Sequence, residues 1–325
     1  MTPLERALRE RIQAQGPITV ETFMGACNAY YYATRDPLGA GGDFTTAPEI
    51  SQLFGELIGA ALADCWKRAG APAEVIFVEL GPGRGTLTAD ALRVMRSADF
   101  VGEVHLVETS PVLRDAQKAA VPDAILHERI DDLPAKALLL VANEFLDALP
   151  IRQHVGGVER KVQVAAGGLA FDRDGETVET SPARDEAVNS VATCLAARGG
   201  VAIFIDYGHE RSGAGDTLQA VHAHSFAPVL ADPGEQDLTA HVDFEAVAAV
   251  ARDAGAAATN VVSQGEWLAR LGINERAKAL ARSNPDRAGE VRAAASASPR
   301  PTRWASCSRS SLCIRRAGRR PRGSE

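Results

Sequence analysis

The run Val75-Ile76-Phe77-Val78-Glu79-Leu80 ends near an acid and opens directly onto Gly81, Gly83 and Gly85. Glycine carries no Cβ and takes positive φ at little cost, so three alternating glycines after an apolar strand let backbone approach a flat, polar small molecule. Leu87, Ala91, Leu92 and Met95 then fall on one helical face, which aims a helix N-terminus at the turn. Its N–H groups and dipole favour a ligand carboxylate. A nicotinamide fingerprint spaces its glycines G-x-G-x-x-G. The spacing here is E-x-G-x-G-x-G from Glu79, which turns the expectation toward S-adenosylmethionine.

Further acids extend the pattern. Glu108 closes the next strand-like run, where a carboxylate can accept hydrogen bonds from both ribose hydroxyls of a nucleoside. Glu128, Asp131 and Asp132 follow a third run, at the level of an adenine edge. The run Leu138–Val141 empties into Asn143-Glu144-Phe145-Leu146-Asp147. Open α/β sheets bind ligands at the carboxyl ends of their strands, so these residues should face the same crevice as Gly81 and Glu108. Charged groups directly after an apolar run require water, a partner or a pocket. The candidates are therefore Asn143, Glu144 and Asp147 for catalysis, and Glu79, Gly81, Gly83, Gly85, Glu108, Asp132 and Asn143 for cofactor binding. Solvated strand ends and a helix cap with its turn remain the structural alternative.

The elements that must position these residues alternate in period. Helical patterns cover Pro3–Gln13, a stretch opening at Thr19, and 50–68, followed by strand 75–80, strand 104–108, helix 111–120, a short strand near 124–127 and strand 138–142. Such alternation predicts an α/β fold with a mostly parallel sheet covered by helices on both faces. Glycine pairs break the rhythm after Ile151 and predict an antiparallel insertion over about 151–200, before the strand 201–208. A helix over 243–254 and a strand around 258–262 would complete the sheet. Tyr30-Tyr31-Tyr32 leads into a Gly-rich loop, where three stacked rings could form a packed corner. The division expected is an N-terminal helical and substrate-loop region, 1–70, a body, 71–288, and an atypical basic tail, 289–325, whose low hydrophobicity predicts disorder.

Charge and composition narrow the class. With 46% hydrophobic residues in 325, the chain can bury one large α/β core or a domain plus a smaller one. From Arg282 onward there are 11 basic and 3 acidic residues, against 24 and 39 before it, so the acidic body does not suit nucleic acid and does suit a basic protein segment. No apolar run approaches the roughly 20 residues of a membrane span. Five cysteines without CxxC spacing predict free thiols in a reducing compartment, and with no apolar leader after Met1–Arg11 the expected location is cytoplasmic. His222 and His224 lack further ligands at metal spacing, so no metal is expected.

Several motifs together carry a resemblance. Gly-Asp-Phe-Thr-Thr-Ala-Pro-Glu-Ile-Ser from Gly42, Glu-Leu-Gly-Pro-Gly-Arg-Gly-Thr-Leu from Glu79, Asn-Glu-Phe-Leu-Asp-Ala-Leu-Pro from Asn143, Asp-Tyr-Gly from Asp206, His-Val-Asp-Phe from His241 and Ser-Gln-Gly-Glu-Trp-Leu from Ser263 resemble the MidA family. These are class I S-adenosylmethionine-dependent methyltransferases, and they include the mitochondrial complex I assembly factor that methylates an arginine of a complex I subunit. The resemblance implies a Rossmann-like fold, S-adenosylmethionine as cofactor, Gly81, Gly83 and Gly85 as its turn, Glu108 as ribose ligand, and Asn143 with Glu144 near the methyl donor. It also implies that Gly42, Asp43 and Phe44 belong to a loop over the site. A protein acceptor with an exposed arginine, such as a respiratory complex subunit, would then be gripped by Glu144 and Asp147. A cofactor-binding assembly factor with little turnover stays open, as does a nicotinamide-dependent oxidoreductase, and a homodimer is compatible with the sequence. The family's hydrophobic C-terminal segment is replaced here by the arginine-rich tail.

Overall fold

The computed structural model describes residues 1–38, 43, 46–283, 289 and 308–316. Seven strands form the path of its central sheet: β1 Val75–Leu80, β2 Val104–Val107, β3 Ile125–His127, β4 Ala137–Asn143, β5 Gly200–His209, β6 Ala256–Ala258 and β7 Ser308–Arg316. They lie in the order β3-β2-β1-β4-β5-β7-β6. Neighbours from β3 to β5 run parallel, whereas β7 runs antiparallel to both β5 and β6. The dinucleotide-binding order 3-2-1-4-5-6 is thus preserved with one reversed strand inserted before the last. Strand order reverses between β1 and β4, and a crevice opens beyond their carboxyl ends at such a point.

Sequence alternation dictates the layers. Helices α1 Pro3–Gln15 and α2 Val20–Thr34 pack beside the sheet, while α3 Gln52–Arg68, α4 Thr86–Ser97, α5 Pro111–Ala120, α6 Pro182–Arg198 and α7 Phe244–Asp253 flank it. Ile76, Val78, Leu80, Leu138, Leu140 and Phe204 share a core with Val188 and Leu195 of α6 and Val247 of α7. The alternate residues Phe77, Leu139, Val141 and Ile203 pack with Ile58 and Leu62 of α3 and Leu87 and Met95 of α4. Both sheet faces are buried, so the strands read as continuous apolar runs. Ser110 caps α5 by accepting from Leu113 N at 3.3 Å, and Thr19 caps α2 by accepting from Thr22 N at 3.1 Å.

Beside the sheet, Arg152–Val155 pairs antiparallel with Thr177–Thr180 and Val158–Glu159. Lys161–Ala165 pairs with Gly168–Phe171 and with Ile18–Thr19 at the head of α2. A third core, with Leu8, Ile12, Phe23 and Met24 against Ile151, Val162 and Leu238, joins the N-terminal helices to these short strands.

Two expectations change. Tyr30–Tyr32 is the last turn of α2 rather than a stack of three; the rings of Tyr31 and Tyr32 meet edge to face at 5.2 Å. Disorder of the tail does not hold for residues 308–316, which pair with β5 from Val201↔Arg315 to Gly208↔Ser308. Leu312 and Ile314 are wholly buried in the α6/α7 core, and Cys313 packs on the opposite face. The tail's average composition hid this apolar triplet. Apart from residue 289, the rest of the tail, and Gly42 and Phe44 of the loop, lie outside the described residues.

Candidate functional site

The glycine turn is built by close approach. Gly81 and Gly83 have φ of 60° and 55°, and a Cβ on them would lie 3.0 Å from Phe145 and 2.8 Å from Leu38. Gly85 is the N-cap of α4. Behind the turn Glu79 is buried and accepts from the Thr88 hydroxyl. Burial pushes its carboxyl up to about 7, against the pull of those Thr88 hydrogen bonds. Arg84 fastens the turn to the N-terminal segment through Asp36 at 2.7 Å and the Leu38 carbonyl at 2.7 Å.

At the end of β2, Glu108 Oε1 accepts from Ser110 N at 2.8 Å, while Oε2 lies 3.3 Å from Gln117 Nε2. Burial raises this carboxyl too. Gln117 of α5 also donates to the Gly83 carbonyl, and its own Oε1 is buried with no partner among the described residues.

The loop after β4 is held under strain. Glu144 has φ of 51°, a left-handed value for a residue with a Cβ, while its N–H continues the sheet by donating to Ile205 O at 2.9 Å. Asn143 Nδ2 donates to Glu144 Oε1 at 3.2 Å, and Asn143 Oδ1 is buried without a donor among the described residues. Asp206, within β5, pins the continuation of this loop: its Oδ2 accepts from Leu146 N at 2.9 Å and Asp147 N at 3.3 Å. Burial and the neighbouring Glu144 raise Asp206 to about 6. The Asp147 carboxyl is pushed well above the usual range by burial and by Asp206, Glu144 and Asp237. Arg184, buried beside it, spends its donors on the carbonyls of Leu146, Ala240 and His241.

These elements surround one cavity of about 840 Å³, a size suited to a small-molecule ligand. Of the residues singled out from sequence, Glu79, Gly81, Gly83, Glu108, Asn143, Glu144 and Asp147 line it together. Gly85 and Asp132 do not; Asp132 is exposed on the turn Ile130–Asp132, and its neighbour Asp131 faces the cavity instead. The sequence reading noticed Tyr32 only as part of a packed corner and passed over Asp237, both of which line the cavity, and it also passed over Gln117. Gln117 sits at a helical spacing from the Ser110 cap, one available signal; Asp237 lies in an irregular stretch that offered none. The Tyr31 hydroxyl donates to Asp43 at 2.6 Å, and Asp43 holds Ala223 N at 2.8 Å and lies 3.3 Å from His222. His222 thus supports a turn. No group of three His, Cys, Asp or Glu side chains among the described residues is arranged to hold a metal.

A glycine turn, a carboxylate closing β2 and a polar loop after β4, all at the switch point of such a sheet, define a nucleoside-cofactor site of the class I methyltransferase type. The family described as "Putative S-adenosyl-L-methionine-dependent methyltransferase" matches residues 57–167 and 158–262. The protein arginine methyltransferase NDUFAF7 homolog of Drosophila melanogaster is 34% identical, with 82% of this chain and 74% of the relative covered. The Homo sapiens NDUFAF7 is 32% identical over 86% of this chain and 76% of its own. A Burkholderia thailandensis protein solved with S-adenosyl-homocysteine superposes with a TM-score of 0.83 at 26% identity, covering 96% of this chain and 92% of that one. The chain belongs to this methyltransferase family. It is an S-adenosylmethionine-dependent enzyme with a Rossmann-like fold, as the motifs implied.

One expectation is corrected by the same relatives. A cytoplasmic location was read from free thiols and the lack of a leader, yet the Drosophila and human relatives are both named mitochondrial. Free thiols report a reducing environment and do not tell one such compartment from another. Among the described residues no helix is long and apolar enough to cross a membrane.

Proposed function

We propose that this chain transfers a methyl group to an arginine side chain of a protein acceptor. The observation that carries the reading is the acidic lining of the cavity: Glu49, Glu79, Glu108, Glu128, Asp131, Glu144, Asp147, Glu186 and Asp237 line it against Arg84 and Arg129, and acids outnumber arginines even with the buried Glu79, Asp147 and Asp237 held protonated. Such an excess suits two cations side by side, a sulfonium and a guanidinium. The names of the Drosophila and human relatives, protein arginine methyltransferases, support the same acceptor.

The residues present fit the cofactor. Bare backbone at Gly81 and Gly83 would make room for it, Glu108 would offer its carboxylate to the ribose, and Asn143 Oδ1, buried at the cavity wall with no donor among the described residues, would accept from one of its N–H groups. When bound, it supplies a methyl made electrophilic by the sulfonium. Glu144 and Asp147 would hold the guanidinium so that one nitrogen faces that methyl, and a neighbouring carboxylate would take the proton this nitrogen loses as the S–CH3 bond, its electron pair left on sulfur, gives way to the new N–C bond. In this reading residues 1–70 and the insertion at about 151–200 wall the acceptor side, because Asn28, Tyr32, Ala183 and Glu186 line the cavity there.

The test is transfer of labelled methyl from S-adenosylmethionine to a mixture of arginine-containing peptides, read by mass spectrometry of methylated arginine. Label on lysine or carboxylates with none on arginine would overturn the reading. Cofactor binding without any transfer would favour an assembly factor.

A further inference from the structure

The cavity holds two carboxyls that a cofactor does not explain. Asp147 and Asp237 are 7% and 5% exposed, and both line the cavity wall. Among the described residues no donor reaches the Asp147 carboxylate, and the Asp237 carboxylate receives only the Tyr32 hydroxyl, at 2.8 Å. Arg184 lies beside Asp147 but spends its donors on backbone carbonyls, so neither carboxylate has a cation bonded to it, and buried carboxylates in that condition are costly. The two come from distant parts of the chain, Asp147 from the loop after β4 and Asp237 from the strand Asp237–Thr239; Asn28 Nδ2 donates to both Ala148 O and Leu238 O at 2.8 Å, which holds the chain neighbours of the two acids together, and Asp147 feels the charge of Asp237. The fold therefore brings two acids with no bonded cation to face one space, which is the arrangement a forked, planar cation fills.

We infer that Asp237, oriented by Tyr32, is a specificity-determining residue that forms with Asp147 a two-carboxylate clamp selecting a guanidinium over a primary amine. The inference rests on the proposed arginine acceptor and deepens it. Tyr32 also ties the clamp to the cofactor side: its carbonyl accepts from the Ser110 hydroxyl at 2.6 Å, and Ser110 N donates to Glu108. A cofactor that settles Glu108 therefore also settles the helix end that carries the Tyr32 ring. An ammonium is a compact point charge that can touch both carboxylates but lacks the planar fork that pairs with each of them bidentately.

The experiment is calorimetry on the full chain saturated with S-adenosyl-homocysteine, titrated with acetyl-Gly-Arg-Gly-amide and acetyl-Gly-Lys-Gly-amide. The variants are Asp237→Asn, which keeps an oxygen for Tyr32, and Tyr32→Phe. The wild type should prefer the arginine peptide at least tenfold. Asp237→Asn should remove most of that preference while S-adenosyl-homocysteine binds within about twofold, and Tyr32→Phe should fall between. Titration in buffers of different ionisation enthalpy adds a readout that a packing role would not move: arginine binding at pH 7 should release protons in the wild type and fewer in Asp237→Asn. Unchanged preference in Asp237→Asn overturns the clamp and leaves the arginine reading intact. Equal loss of S-adenosyl-homocysteine and peptide affinity also overturns it. A wild type that takes the lysine peptide as well as the arginine peptide overturns the acceptor reading and the clamp with it.

Discussion

Gln117 Nε2 lies 2.7 Å from the carbonyl oxygen of Gly83, so one side chain from α5 sets the height of the glycine turn above the sheet. The same nitrogen reaches Glu108, which couples the two halves of the cofactor site. Truncation by Gln117→Ala should weaken S-adenosyl-homocysteine binding by about tenfold, the scale of one or two lost buried hydrogen bonds. Calorimetry would decide this, with a melting curve to show the chain still folds; unchanged affinity would mean the turn holds itself.

Gly83→Ala places a Cβ 2.8 Å from Leu38 and at φ 55°. The strain should cost about 1–2 kcal/mol of stability, and cofactor affinity should fall further because the turn must shift. Urea unfolding with and without S-adenosyl-homocysteine separates the two effects. A variant as stable and as tight as the wild type would show that the turn does not need bare backbone.

Glu144 offers a paired test. Glu144→Gln should lower turnover at least tenfold with S-adenosyl-homocysteine affinity nearly unchanged. Glu144→Gly relieves the left-handed backbone, a gain of about 1 kcal/mol offset in part by glycine's unfolded-state entropy. It should also remove turnover, leaving a chain at least as stable and inactive. Equal loss of turnover and cofactor affinity in Glu144→Gln would make this residue a wall of the pocket instead.

Stability should carry a pH signature. Glu79 titrates at about 7 in the folded chain, above its ordinary value of 4.5. Between those values the folded chain keeps a proton that the unfolded chain has released, so this contribution is full below the unfolded pKa and is lost as pH rises through about 7. The urea midpoint of the wild type should fall relative to that of Glu79→Gln from pH 5 to pH 8. A difference that grows in favour of the wild type over that range would refute the buried, protonated Glu79.

Leu312→Ala probes β7. Leu312 is fully buried between the sheet and α6 and α7, and removing its side chain should cost about 2–5 kcal/mol. A loss under about 0.5 kcal/mol by urea unfolding would mean that the strand does not pack where the register puts it.

Much of this was readable from residue order because period and punctuation coincide. Gly81-Pro82-Gly83 stands at the end of an apolar run, and Ser110-Pro111 opens α5 where a cap and a first-turn proline are expected. Local rules also placed Glu108 and Asn143 at strand ends, and strand ends in a parallel sheet share an edge. What could not be read depends on contacts between distant segments. Asp237 meets Tyr32 across 205 positions of chain; the tyrosine triplet drew notice as a packed corner, but no local pattern marks Asp237 or joins the two. Asp132 and Asp131 are adjacent and chemically alike, so only the path of the turn decides which faces inward. The β7 triplet was lost in the arginine-rich average around it, because three apolar residues are too few to show a period.

The insertion of β7 between β5 and β6 has a consequence for synthesis. A ribosome delivers β5 and β6 long before residues 308–316, so for that interval the nascent sheet carries a vacancy with unsatisfied backbone on both sides. Exposed strand borders of this kind recruit foreign strands. Nascent chains that stall or are cut before Ser308 should therefore be far more prone to clump than chains trimmed beyond Arg316, and a chaperone that shields the open slot would be the cell's natural remedy.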